Sequence, residues 1–131
     1  MAIYKRGYFD LYMYQGDTGN IKINGIPITA NYKIYLQVFK MDGSETPINM
    51  CKESNFRPFV IFPISSDISN ELDPGQYYYA VKLCLEDTYG ITEETVIPPL
   101  RNVTVTPSNY KNKAFFWVYP KQIEGTINDS I

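Results

Sequence analysis

Apolar and polar residues alternate along most of this chain with the period of two that a half-buried β-strand requires. Phe9, Leu11 and Met13 fall on one face of the run from Tyr8 to Tyr14, and Tyr8, Asp10, Tyr12 and Tyr14 on the other. Ile21 and Ile23 alternate with Lys22 and Asn24. Tyr32, Ile34, Leu36 and Val38 share a face against Lys33, Tyr35, Gln37 and Phe39. Tyr77, Tyr79, Val81, Leu83 and Leu85 do the same against Gln76, Tyr78, Ala80, Lys82, Cys84 and Glu86. Further runs at Glu45 to Met50, Phe56 to Ile64, Ile91 to Ile97 and Leu100 to Thr106 read as strands, with Pro58 and Pro63 placing the second at a sheet edge or splitting it. No stretch of helical length carries a clean apolar stripe, and Asp67 to Leu72 is expected to hold only one helical turn.

The punctuation agrees with this pattern. Asn24-Gly25, Met41-Asp42-Gly43-Ser44, Asp73-Pro74-Gly75 and Asp87-Thr88-Tyr89-Gly90 are turn signals, because Gly tolerates positive φ and Asp bonds its own backbone. Short strands at regular spacing predict an all-β fold, an immunoglobulin-like antiparallel β-sandwich of about seven to nine strands. We expect residues 1–107 to form the sandwich and 108–131 a C-terminal extension. That extension contains the run Ala114-Phe115-Phe116-Trp117-Val118-Tyr119 and then a polar tail. A charge-free β-prone run of this kind must be buried, in its own domain or against another chain.

Composition narrows the chemistry. The chain has 131 residues, which suits one domain with a real core. It has 12 Tyr and no His, which removes His triads, His-ligated zinc and His proton shuttles. No GxSxG, P-loop or GxGxxG is present, and the adjacent Glu93 and Glu94 point to opposite faces of a strand. The turn aspartates are explained by turn chemistry, and no dense calcium-ligand set appears. These absences lead to the expectation of a non-enzyme with no metal or cofactor. A formal net charge of −2 argues against nucleic acid as main partner. No apolar stretch is long enough to span a membrane. Cys51 and Cys84 are read as free thiols in a reducing compartment. Met1 to Gly7 lacks the apolar core of a secretory leader, and the two N-glycosylation patterns, at Asn102 and Asn128, are taken as chance.

The aromatics carry the functional signal. Tyr4, Tyr8, Tyr12 and Tyr14 crowd the first fourteen residues, and a sandwich needs only one face of a strand for its core. Tyr offers large contact area with a polar tip, so the surplus predicts a protein interface. Phe116, Trp117 and Tyr119 join these four as interface candidates, the run 114–119 acting as a docking or swapped strand. Tyr12, Asp10 and Trp117 are also the first candidates for a sugar site, although a polar residue between partly exposed Tyr side chains is the better account of Asp10.

The order of turns and strands resembles the N-terminal β-sandwich of bacteriophage baseplate upper proteins and tail-fibre proteins. The resemblance rests on "YQGDTG" at Tyr14 to Gly19 and "YKIYLQVFKMDGSETPI" at Tyr32 to Ile48. It continues through Pro74, Gly75, Tyr77 and Tyr79, the turn from Asp87 to Gly90, and "TVIPP" at Thr95 to Pro99, spanning residues 12 to 106. It implies a structural virion protein, folded in the host cytoplasm and acting by assembly: a baseplate, tail or head-fibre adaptor or decoration protein. It implies other virion structural proteins as partners, in a homo-oligomer or hetero-complex, and no catalytic residues. A carbohydrate-binding module on the same scaffold is the alternative.

Overall fold

A computed structural model describes residues 3–6, 9–98 and 114–122. Nine strands and one short helix are present among them. In chain order they are β1 (Ile3–Arg6), β2 (Asp10–Tyr14), β3 (Gly19–Asn24), β4 (Lys33–Lys40), β5 (Ile48–Glu53), β6 (Phe59–Ile64), α1 (Ser66–Asn70), β7 (Gly75–Asp87), β8 (Gly90–Ile97) and β9 (Ala114–Tyr119). The fold is therefore mainly β, as the alternation requires. The strand expected over Leu100 to Thr106 and most of the polar tail lie outside the described residues.

Two sheets share one core. The larger runs β1-β2-β9-β7-β4-β5, with β8 also paired to β7, and the smaller is the hairpin-like pair β3-β6. Leu11, Met13, Ile34, Leu36, Val38, Tyr77, Tyr79, Val81, Ala114, Phe116 and Val118 face inward from the large sheet. Ile21, Ile23, Val60, Phe62 and Ile64 meet them from the small one. The inward positions of β2, β3 and β4 and of β7 from Tyr77 to Leu83 are those the alternation assigns, because a strand flanked by water on one side and core on the other must obey that period. Tyr32 and Leu85, assigned to the core face, lie at strand margins and are only partly buried.

The antiparallel expectation needs correction. β2 and β9 pair in parallel, Leu11 beside Phe116 and Tyr14 beside Tyr119, so the large sheet is mixed. Parallel neighbours require a long crossover, here almost the whole chain, and no local turn signal announces one. The boundary drawn at residue 107 falls between β8 and β9, and β9 lies inside the large sheet, hydrogen-bonded to β2 on one side and β7 on the other. β7 is long enough to carry two neighbours on one edge. Gly75 to Tyr79 pair with β9, Val81 to Asp87 pair with β8, and the register shifts between Val81 and Lys82 at the handover.

Side chains lash the connections to this frame. Ser65 caps α1, its hydroxyl accepting from the Ile68 N–H at 3.2 Å. The buried Ser69 hydroxyl donates to the Asp17 carbonyl at 2.6 Å, and the Gln15 amide donates to the carbonyls of Asn70 and Leu72. Helix α1 is thereby held against the turn that follows β2.

Candidate functional site: an aromatic sheet face

The outer face of the large sheet is the feature that departs from an ordinary β-layer. Outward positions alternate with core positions, so the registers alone place the side chains. On β2 they are Asp10, Tyr12 and Tyr14, and on β9 they are Phe115, Trp117 and Tyr119. Tyr12 lies beside Trp117 and Tyr14 beside Tyr119 across the parallel pair. On β7, Tyr78 lies beside Phe115, and Phe39 of β4 lies beside Tyr78. Seven aromatic side chains thus run without interruption across four strands.

Their rings touch. Tyr12 and Trp117 stand 6.3 Å apart and nearly parallel, at 6°. Tyr12 and Tyr119 are 6.1 Å apart at 16°, and Tyr14 and Tyr119 5.9 Å apart at 51°. Phe115 tilts against Trp117, and Phe39 stacks on Tyr78 at 4.9 Å. Such pairs contribute about 0.5–1.5 kcal/mol each beyond area burial and stiffen the surface. Tyr14 and Tyr119 are exposed and the rest half-buried. Trp117 Nε1 is shielded from solvent and meets no acceptor among the described residues.

The electrostatics of the face are quiet. Gln76, Ala80 and Gln37 continue it, and the Gln37 amide donates to Asn49 Oδ1 at 3.3 Å. Asp10 is the carboxylate at its margin, and its Oδ1 accepts the backbone N–H of Phe115 at 3.1 Å. Asp10 thus serves to fasten the start of β9 to β2. Tyr79, on the opposite face, donates its O–H to the Phe9 carbonyl, and burial first, then the Asp10 carboxylate, push its phenol well above the usual range. At the far edge, Cys51 beside Tyr35 raises that phenol also. Both cysteines are free thiols, Cys51 exposed and Cys84 half-buried. Among the described residues no three His, Cys, Asp or Glu side chains converge.

The structure sorts the sequence candidates. It brings Tyr12, Tyr14, Trp117 and Tyr119 into one cluster. It places Phe116 fully in the core, because β9 is an interior strand whose inner face packs on the small sheet. Phe116 therefore offers no surface to a partner. Tyr4 lies at the register position opposite Tyr12 on β1. Tyr8 lies outside the described residues. Phe39, Tyr78 and Phe115 belong to the face and were missed. Alternation puts Phe39 and Tyr78 on the non-core side, and only the strand order shows that they adjoin the others. Comparison with protein-family models, curated proteins and solved structures finds no match for this chain.

Proposed function

We propose that this chain is a non-catalytic assembly module, a structural component of a bacteriophage virion on an immunoglobulin-like scaffold, that docks other virion proteins through the aromatic face of its large sheet. The carrying observation is the continuity of Tyr14, Tyr12, Tyr119, Trp117, Phe115, Tyr78 and Phe39 across β2, β9, β7 and β4. A solvent-facing sheet surface is ordinarily polar, and an aromatic, nearly uncharged one is the composition of an interface centre. The virion context comes from the resemblance of turn and strand order to phage baseplate and tail-fibre sandwiches.

Trp117 is the single tryptophan, so its fluorescence reports on the face directly. The chain is to be co-expressed with the products of the genes flanking its own and the complex isolated. Tyr12→Ala and Trp117→Ala should each weaken that complex at least tenfold while the isolated chain keeps its β-type circular dichroism. An unchanged Trp117 emission spectrum in the complex, or undiminished assembly by both variants, defeats the reading. The near-parallel rings of Tyr12, Trp117 and Tyr119 support a second reading, stacking on a neutral sugar. Binding on a glycan array that Trp117→Ala abolishes would favour it over protein docking.

A further inference from the structure

A different surface lies at the end of the molecule where β4 begins. Lys33 pairs with Glu53 of β5 and with Cys84 of β7, so these strands reach one level together. The loop from β3 to β4 and the loop from β5 to β6 both turn there, and β7 runs on past that level to Asp87 before β8 returns from Gly90. Of the four most exposed large apolar side chains among the described residues, three sit on these connections and the fourth, Ile91, is the second residue of β8. They are Tyr89 at 98%, Ile91 at 64%, Phe56 at 60% and Ile28 at 59%.

Phe56 is held there against its backbone preference. Asn55 and Phe56 have φ of 51° and 61°, a left-handed pair that Asn tolerates and a bulky residue does not. The loop is fastened by Asn55 N–H to Asn31 Oδ1 at 2.8 Å, Arg57 N–H to the Ser54 carbonyl at 3.0 Å, and Tyr32 N–H to the buried Ser54 hydroxyl at 3.0 Å. A Phe in this conformation that leaves more than half of its surface in water returns little to its own fold, which favours a contact outside it.

Charge divides this end in two. Lys52 and Arg57 line a hollow beside the Phe56 loop together with Glu53 and Phe59, Lys22 lies over the Phe59 ring, and Lys33 stands between the two halves at the start of β4. The β7–β8 arm carries Glu86, Asp87, Glu93 and Glu94, with Lys82 held by Glu93 at 3.6 Å. Three inter-strand steps separate the halves, about 14 Å.

We infer that this end binds a second copy of the chain across a two-fold axis, the Phe56 loop of each protomer seated against the β7–β8 arm of the other. Charge complementarity selects the occupant. A cationic apolar half beside an anionic apolar half is self-complementary, and a two-fold axis between them satisfies both halves twice. The inference does not depend on the aromatic face.

Sedimentation velocity on the full chain tests it. The wild type should form a dimer at micromolar concentration that weakens as salt rises. K52E/R57E and E86K/E93K should each weaken the dimer about tenfold or more, and an equimolar mixture of the two should restore it, because the second variant makes the arm net positive and the mixed pair then carries attractive charges on both sides. Phe56→Asn should abolish dimers yet raise Tm, since Asn accepts the left-handed conformation. Trp117→Ala should leave the dimer intact. A wild type monomeric at all concentrations overturns the inference. So does a mixture that stays monomeric, a dimer that survives Phe56→Asn, or one lost in Trp117→Ala but kept in Phe56→Asn.

Discussion

β8 and β9 pair with the same edge of the same strand, yet one is buried and the other exposed. β9 meets Gly75 to Tyr79 of β7, and Ala114, Phe116 and Val118 enter the core. β8 meets Val81 to Asp87, and its residues from Gly90 to Thr95 are all exposed. Backbone pairing is common to both. The difference lies in what covers the faces and the far edge. β9 has β2 on its other side and sends Phe116 and Val118 into the core shared with the small sheet, whereas β8 from Gly90 to Thr92 lies past the level where β4 begins, and Glu93 to Thr95, abreast of β4, are exposed as well. Hydrogen bonding fixes the strand in place, and burial decides what its side chains are worth.

Four expectations sharpen that contrast. Phe116→Ala should lower stability by about 3–5 kcal/mol in urea unfolding, because an interior strand collapses poorly around a lost ring. A loss below about 1 kcal/mol would deny β9 its place in the core. Tyr79→Phe, next to β9, should cost about 1–2 kcal/mol through the hydrogen bond to the Phe9 carbonyl. A smaller effect attaches to pH. The raised Tyr79 phenol contributes stability fully present below the ordinary tyrosine range, near pH 10, and lost as pH rises beyond it. Tm should therefore decline above about pH 10, and absorbance at alkaline pH should show Tyr79 ionising above the ordinary tyrosine range. Thr92→Ala in β8 should stay within about 0.5 kcal/mol of wild type in the same urea assay. A large loss there would mean that β8 is packed after all.

Much of this fold can be read from the residues themselves. Ile34, Leu36, Val38, Tyr77, Tyr79 and Val81 sit on the core face that alternation assigns them, and Gly25, Gly43 and Gly90 take positive φ at turns that composition marks. The short helix near Asp67 appears as expected, one residue early, at Ser66–Asn70. β1 leaves no signal in the sequence, since IYKR is too short to show a period. The candidate site was legible in part. Surplus Tyr on β2 and the apolar run at 114–119 are both visible in the pattern, and the exposed loop residues Phe56 and Ile28 are not, because exposure of a single residue leaves no trace in it.

The sequence by itself determined which residues pair a core face with an outer one, where the chain turns, and that His-based chemistry is ruled out. These are local properties, set by side-chain alternation and by backbone freedom at Gly, Asp and Pro. Tertiary structure alone decided that β9 enters between β2 and β7, in parallel with the former. That pairing joins segments a hundred residues apart, and its energy comes from packing Phe116 and Val118 against a sheet no neighbouring residue encodes. The same step turned scattered Tyr, Trp and Phe into one continuous surface, and separated Phe116, which belongs to the core, from Trp117 beside it, which does not.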